Sequence, residues 1–345
     1  QVEAHIAEIA PKAVTIFQEK RGGTGHATQL ALADLKPSGT ILILAGDTPL
    51  LTSGSLQQLL DLHHAGGFTA SVLTAEHPDP TGYGRIVRAD DGSLLRIVEE
   101  RDADEIQRDI LEVNSGVYAF DAVKLAGAIG KLKNDNSQGE LYLTDVIEIL
   151  RNEGGSIAAA LIEDFVEILG VNDRVQLAES AALLRDRINE EFMLAGVTIL
   201  DPTTTWIDSG VKIAADATIF PESWLAGTTT VGAKAIIGPR TTLMNVKVAG
   251  GASVIESNCV DCEIGGGAKV GPYSYLRADT VLAAGAKVGA YVEIKNSTVG
   301  KGSKVAHLSY VGDAQIGEET NIGAATVFVN YDGEKKHQAK IGNQV

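Results

Sequence analysis

The chain has 345 residues, 44% hydrophobic and 21% charged, enough apolar material to bury the cores of two ordinary domains, which excludes wholesale disorder. Twenty-nine Lys plus Arg against 45 Asp plus Glu leave a formal net charge of -16, and so acidic a surface excludes general binding to nucleic acid or to anionic membranes. Only 5% of residues are aromatic while 38 are glycine, a balance that favours thin, regularly turned architecture.

The first half alternates strand and helix signals. Thr40 to Ala45 is an unbroken apolar run ending at Gly46-Asp47, as expected of a buried parallel strand whose carboxyl end carries chemistry. Helical spacing follows from Leu51 to Ala65, and a strand is predicted over Thr69 to Ala75. Shorter strands are predicted at Arg85-Ile86-Val87, Leu95 to Val98 and Gly116 to Phe120. Helices are expected over Asp121 to Leu132 and Leu143 to Asn152, then a strand from Ile157 to Ile162. This pattern is an α/β sheet domain. Leu177, Ala181, Leu184, Ile188 and Phe192 then mark an amphipathic connecting helix over Val175 to Leu194, with Asn172 and Asp173 available to cap its start. Asp201-Pro202 breaks the chain after it.

From Val197 the character changes. Aliphatic residues fall at every sixth position, at Ile213, Ile219, Leu225, Val231, Ile237 and Leu243. After a one-residue slip the beat resumes at Val248 and Val254, and it continues through Ile264, Val270, Leu276, Leu282, Val288 and Ile294 to Val299, Val305, Val311, Ile316, Ile322 and Phe328. Neither the 3.6 period of a helix nor the period of two of an isolated strand gives that spacing. A triangular prism does: each side contributes one inward aliphatic residue, small residues such as Gly232, Ala233, Gly265, Gly289, Gly300 and Gly317 turn the corners, and three sides close a coil of about 18 residues. The coils are expected to pair as parallel sheets and to be stable only when stacked. A β-sandwich with Gly-rich turns fits that regular phase poorly.

Cys259 and Cys262 form a Cys-x-x-Cys that reads as zinc ligands, a redox pair or incidental thiols. Zinc lacks a second ligand pair nearby and a redox motif lacks a helix N-terminus, so incidental thiols are expected. No apolar run spans a bilayer and no signal-peptide order opens the chain, which predicts a reducing cytoplasm.

An ordered set of motifs runs through the α/β half: Gln18, Gly23-Thr24-Gly25-His26, Ala45-Gly46-Asp47, Thr81-Gly82-Tyr83-Gly84-Arg85-Ile86, Ile97-Val98-Glu99, Val113-Asn114-Ser115-Gly116 and Gly170-Val171-Asn172. The set resembles the bacterial bifunctional family that makes UDP-N-acetylglucosamine, in which an N-acetylglucosamine-1-phosphate uridylyltransferase is joined to a glucosamine-1-phosphate N-acetyltransferase. The resemblance covers nearly the whole chain. It implies an α/β nucleotidyltransferase (Rossmann-like) domain over residues 1–171, a connecting helix over 172–196, and a left-handed parallel β-helix of hexapeptide repeats over 197–345.

For uridylyl transfer the resemblance implies Mg2+ held by Asp47 and Asn172, since a divalent cation is the natural bridge between two anionic substrates. Gln18, Gly23 and Thr24 are then expected at the uracil of UTP, and Gly84, Glu99, Asn114 and Asn172 around UDP-N-acetylglucosamine. For acetyl transfer it implies His307 as the base, with Glu293 and Asn330 orienting it. A neutral amine attacking a thioester needs such a base, and imidazole titrates near neutrality. Arg277, Lys295, Tyr310, Asn321 and Lys336 are expected to hold glucosamine 1-phosphate, the three cations facing its phosphate. Ala324, Asn330 and Tyr331 are expected at acetyl-CoA.

The resemblance also implies a cytoplasmic homotrimer with small-molecule substrates only, namely glucosamine 1-phosphate, N-acetylglucosamine 1-phosphate, UTP and acetyl-CoA. It predicts that the chain begins after the family's triphosphate-holding loop and stops before its repeat does, so that both activities are impaired. Two alternatives remain: another sugar-1-phosphate nucleotidyltransferase with an appended β-helix, and a non-catalytic β-helix oligomerisation module. A carbonic anhydrase on the same prism would need several histidines where the repeat offers few.

Overall fold

A computed structural model describes residues 2–33 and 38–345, which divide into two compact units, Gln1–Ser180 and Ala181–Val345. In the first unit, strands β1 (Thr40–Ile43), β2 (Ala70–Glu76), β3 (Arg85–Arg88), β4 (Leu94–Val98), β5 (Glu112–Asp121) and β6 (Ile157–Ile162) form one sheet. Its order is β4-β3-β5-β2-β6, and β1 also pairs with β5. Helices α1 (Val2–Ile9), α2 (Thr24–Ala33), α3 (Ser53–Gly66), α4 (Glu105–Arg108), α5 (Ala122–Ile129) and α6 (Asp145–Asn152) complete the unit.

Side chains alternate across the central strands because successive residues face opposite sides. Val72 of β2 with Tyr118 and Phe120 of β5 enters a core shared with Leu125 of α5 and Val146, Ile147 and Leu150 of α6. Leu73 of β2 with Val117 and Ala119 of β5 enters the opposite core with Leu59 of α3. Helices on both faces explain why β2 is buried at six of its seven positions. Helix α3 starts where Thr52 accepts from the Ser55 amide at 3.2 Å and stops at Gly67, which takes a φ of 58°.

The strand expected at 40–45 is present but corrected in kind. β1 pairs antiparallel with β5, Ile41 opposite Phe120, and all four of its residues are only partly buried. An apolar run reports burial, not the direction of its neighbour, and among the described residues only one edge of β1 is paired. Among the described residues of this unit, only β2 and β6 pair in parallel. Two helices that the periodicity did not signal, α1 and α2, precede it, and Thr24, Gly25 and His26 open the second of them rather than lying in a loop.

The α7 helix (Arg174–Leu194) runs close to the span expected. Asp173 caps it, accepting from the amides of Val175 and Gln176 at 2.8 Å each, while the Asn172 amide donates to the Gln176 side chain at 2.7 Å.

The second unit is a parallel β-helix of three sheets with eight, seven and eight strands. The predicted beat is the rung order: Ile219 pairs with Ile237, Ile237 with Val254, Val254 with Val270. Each side carries two inward positions rather than one. A second residue two places before the aliphatic is buried as well, most often a small one, as in Ala235 with Ile237, Thr241 with Leu243 and Ser297 with Val299, and valine in Val246 with Val248 and Val292 with Ile294. The hydroxyls among them bond corner backbone; Ser297 donates to the Lys295 carbonyl at 2.7 Å and accepts from the Ala314 amide at 2.9 Å. At the corners a β-carbon on Gly289 would sit 2.0 Å from the Ala306 carbonyl oxygen, so glycine is required by the approach of the next coil.

After Ile322 the chain leaves the beat. Phe328 still packs against the core, residues Tyr331 and Lys336 pair in an antiparallel bridge, and Ala339–Ile341 then rejoins the third sheet beside Ala314–Ile316. Among the described residues no helix is long and apolar enough to cross a membrane.

Candidate active sites

In the first unit, the carboxyl end of β1, the start of α2 and the middle of β5 line a cleft of about 370 Å³, with Thr24, Asp47, Glu99, Asn114, Tyr118 and Thr144 on its wall. Gly23 is held at a φ of 95°, and a β-carbon there would lie 2.5 Å from the Leu141 carbonyl oxygen. Thr24 accepts from the Leu143 amide at 3.0 Å, and Gln18 lies beside this turn, its amide nitrogen 3.0 Å from Nδ1 of His26 and 3.4 Å from the Gly23 carbonyl.

Gly84 faces Asn114 and Glu99, whose Cβ and Oε2 would each be 3.5 Å from an added β-carbon. Thr144 donates to Glu99 at 3.0 Å, and Asn114 accepts from the Gly116 amide at 3.1 Å. Burial, and then the neighbouring Asp102 charge, push the Glu99 carboxyl above its ordinary range. Burial likewise pushes the Tyr118 phenol up, with Glu99 adding to it.

Asp47 and Asn172 converge around Gly170. The Asp47 Oδ2 and the Asn172 side-chain amide lie 3.6 and 3.8 Å from the point a Gly170 β-carbon would occupy, and the Val171 amide donates to the Asp47 carbonyl at 2.8 Å. A carboxylate and a side-chain amide are donor types that a hard cation keeping most of its waters could take from a protein, although among the described residues no group of three or more His, Cys, Asp or Glu gathers around one point. The eight residues expected in this unit therefore gather in two neighbouring sets, Gln18-Gly23-Thr24 with Gly84-Glu99-Asn114, and Asp47-Asn172. The sequence reading passed over Tyr118, Thr144 and Tyr83, whose phenol bonds the Gly170 backbone and is pushed up by burial. Tyr83 stands inside one of the quoted motifs and Tyr118 two residues after another, whereas nothing in the sequence around Thr144 marked it.

In the second unit the expected cations do meet. Arg277 bonds Glu293 at 2.8 Å, and Glu293 stands in register between Tyr275 and Tyr310 on the seven-stranded sheet. That hydrogen bond raises the Arg277 guanidinium. Lys295 follows on the same strand. Contact with Lys336, and then repulsion from it, holds the Lys295 ammonium below the ordinary lysine range, with Arg277 contributing. Tyr310 and Asn330 approach one another over Gly312: their Oη and Nδ2 atoms lie 2.5 and 2.6 Å from where its β-carbon would be.

His307 is exposed at the corner leading into the Tyr310 strand, and among the described residues its ring has no hydrogen-bonding partner. Glu293 and Asn330 use their polar ends elsewhere in the chain, on Arg277 and on Asp313. Asn321 lies exposed on a different sheet, above Lys304, and Ala324 is exposed in the turn after it. Tyr331 is exposed on the excursion after the last regular coil, its phenol donating to the Gly333 carbonyl at 2.6 Å. One chain thus assembles Arg277, Glu293, Lys295, Tyr310, Asn330 and Lys336, and leaves His307, Asn321, Ala324 and Tyr331 on its rim.

Asp313 was missed. It is buried, accepts from Asn296 at 2.5 Å and from Asn330, and sits at a corner with a φ of 50°. A signal existed: Asn245, Asp261, Asp279, Asn296 and Asp313 recur once per coil, each at positive φ, where Asn and Asp are the side chains most tolerated.

An α/β sheet with a sugar-sized cleft, joined in one chain to a hexapeptide β-helix bearing a cationic face, is the architecture of a two-part transferase. The family described as Nucleotidyl transferase matches residues 1–212. The bifunctional protein GlmU of Streptomyces avermitilis is 51% identical over 99% of this chain and 72% of that protein. Those of Corynebacterium diphtheriae and Mycolicibacterium gilvum are 49% and 48% identical over the full chain and 72% of each. The chain belongs to the bifunctional GlmU family.

Proposed function

We propose that the protein makes UDP-N-acetylglucosamine by two transfers, with working boundaries at 1–171, 172–196 and 197–345. In the first, the amine of glucosamine 1-phosphate attacks the thioester carbonyl of acetyl-CoA. The C–S bond breaks, the thiolate leaves as coenzyme A, and His307 takes the amine proton. Arg277, Lys295 and Lys336 seat the sugar phosphate, Tyr310 and Asn321 hold the sugar, and Ala324, Asn330 and Tyr331 meet acetyl-CoA. The observation carrying this reading is the convergence of three cations on one face of a protein with a net charge of -16. A homotrimer in which neighbouring chains share each site would give the unpartnered His307 ring its companions, and closed rings are the ordinary symmetric solution.

In the second transfer a phosphate oxygen of N-acetylglucosamine 1-phosphate attacks the α-phosphorus of UTP and pyrophosphate leaves. Gln18, Gly23 and Thr24 read the uracil, and Gly84, Glu99 and Asn114 hold the acetylated sugar. Asp47 and Asn172 hold Mg2+, which neutralises phosphate charge when bound. Both substrates with activated groups are cytoplasmic metabolites, and two free buried thiols suit that reducing compartment.

The test crosses two variants with two assays. His307→Ala is expected to lower acetyl transfer by about 10²- to 10⁴-fold and leave uridylyl transfer unchanged, while Asp47→Ala does the reverse. Undiminished acetylation in His307→Ala removes the imidazole from its role, and loss of both reactions in Asp47→Ala shows that the two sites are not independent.

A further inference from the structure

Asp313 belongs to none of the residue sets so far given a chemical role, yet it stands behind one of them. Its carboxylate accepts from Asn296 at 2.5 Å on one oxygen and from Asn330 on the other. Its backbone is locked as well: its amide donates to the Lys295 carbonyl at 3.1 Å, and its carbonyl accepts from Ala339 at 3.0 Å. It is 8% exposed.

A side-chain amide can present either end to a neighbour that both donates and accepts, but an ionised carboxylate only accepts. Asn330 must therefore turn its NH2 toward Asp313 and its carbonyl oxygen away from it. The amide donors and the lysine charges facing Asp313 favour its ionised form. The Asn296 hydrogen bond is the largest influence holding its carboxyl below the ordinary range, followed by Asn330 and the Lys336 and Lys295 charges. The same amide nitrogen lies over Gly312 beside the Tyr310 phenol, so its orientation is felt at the face where the cations meet.

We propose that Asp313 is a positioning residue of the acetyl-transfer site: its acceptor-only carboxylate selects the orientation of the Asn330 amide, leaving the Asn330 carbonyl as the acceptor offered to the reacting groups. The inference rests on the reading of this face as the acetyl-transfer site. Asp313 does not touch substrate in this scheme; it acts through Asn330.

Asp313→Asn keeps the shape and tolerates the positive φ of the corner, but it gives Asn330 a partner that can donate or accept. Acetyl-transfer kinetics of the chain are compared for the wild type, Asp313→Asn, Asn330→Ala and the double variant. Asp313→Asn is expected to lower kcat about tenfold or more, the loss for one misplaced charge-assisted hydrogen bond. In the Asn330→Ala background the same change is expected to cost nothing further, because the amide it acts through is gone. Asn296→Gly, which removes the other donor at this corner and tolerates its φ of 44°, is expected to leave kcat within about twofold.

Additive losses in the double variant overturn the proposal, as does an equal loss in Asn296→Gly, which marks a corner needed only for structure. Full activity in Asn330→Ala overturns both the proposal and the site reading beneath it. The 15N side-chain resonances of Asn330 separate the two: shifts and exchange rates unchanged by Asp313→Asn overturn the orientation claim by themselves, whatever the reaction catalysed.

Discussion

Asp145 opens α6 with Glu148 one turn along and Glu99, Asp102 and Asp135 nearby, and burial together with these charges raises its carboxyl to about 6. A carboxyl raised in the folded state binds its proton more tightly there than in the unfolded chain. Stability therefore falls as pH rises from the ordinary value of 3.8 to about 6, and is flat above. Asp145→Asn is expected to be more stable than the wild type above pH 6 and to lose that advantage toward pH 4, as read from urea midpoints across that interval. A constant difference between the two proteins would show that Asp145 titrates normally. The sequence shows five carboxylates but not their convergence, since they come from the residues just after β4, the segment between α5 and α6, and α6 itself, which only the fold brings together.

The coil is the element on which the second unit is built, and its sequence signal was legible because one inward aliphatic per side is a geometric demand. Two features of it were not. Cys259 fills the inward position between Leu243 and Leu276, where the hexad beat had been passed over, and Cys262 fills the small inward position before Ile264. The Cys-x-x-Cys is thus two consecutive core positions on either side of the Asp261 corner, where a thiol serves as a small apolar side chain. The hydrogen bond with the Cys262 thiol, and then burial, hold the Cys259 thiol well up. Ile237, fully buried between Ile219 and Val254, tests what a rung contributes. Ile237→Ala is expected to cost about 2–5 kcal/mol, seen as a lower urea midpoint with little change in slope. A cost under about 1 kcal/mol would mean that neighbouring rungs close over the gap.

At the scale of the whole chain, the apolar clusters of the two units share no residue. Calorimetry is expected to resolve more than one unfolding transition, with Ile237→Ala moving only the one that belongs to the β-helix. A single transition whose calorimetric and van't Hoff enthalpies agree would show that the chain unfolds as one cooperative body.

The amino-acid order by itself determined the α/β alternation, the connecting helix and the prism, because each is a local period set by how far one residue advances along a helix, a strand or a coil. It also marked Asp47, Asn172, Arg277, Lys295 and Lys336 through short motifs. Tertiary structure alone decided that β1 lies antiparallel to β5, that the three cations share one face while His307 stands at a corner apart, and that Asp313 holds Asn330. Strand direction and charge convergence depend on pairings between residues far apart in the chain, and no local period carries that information.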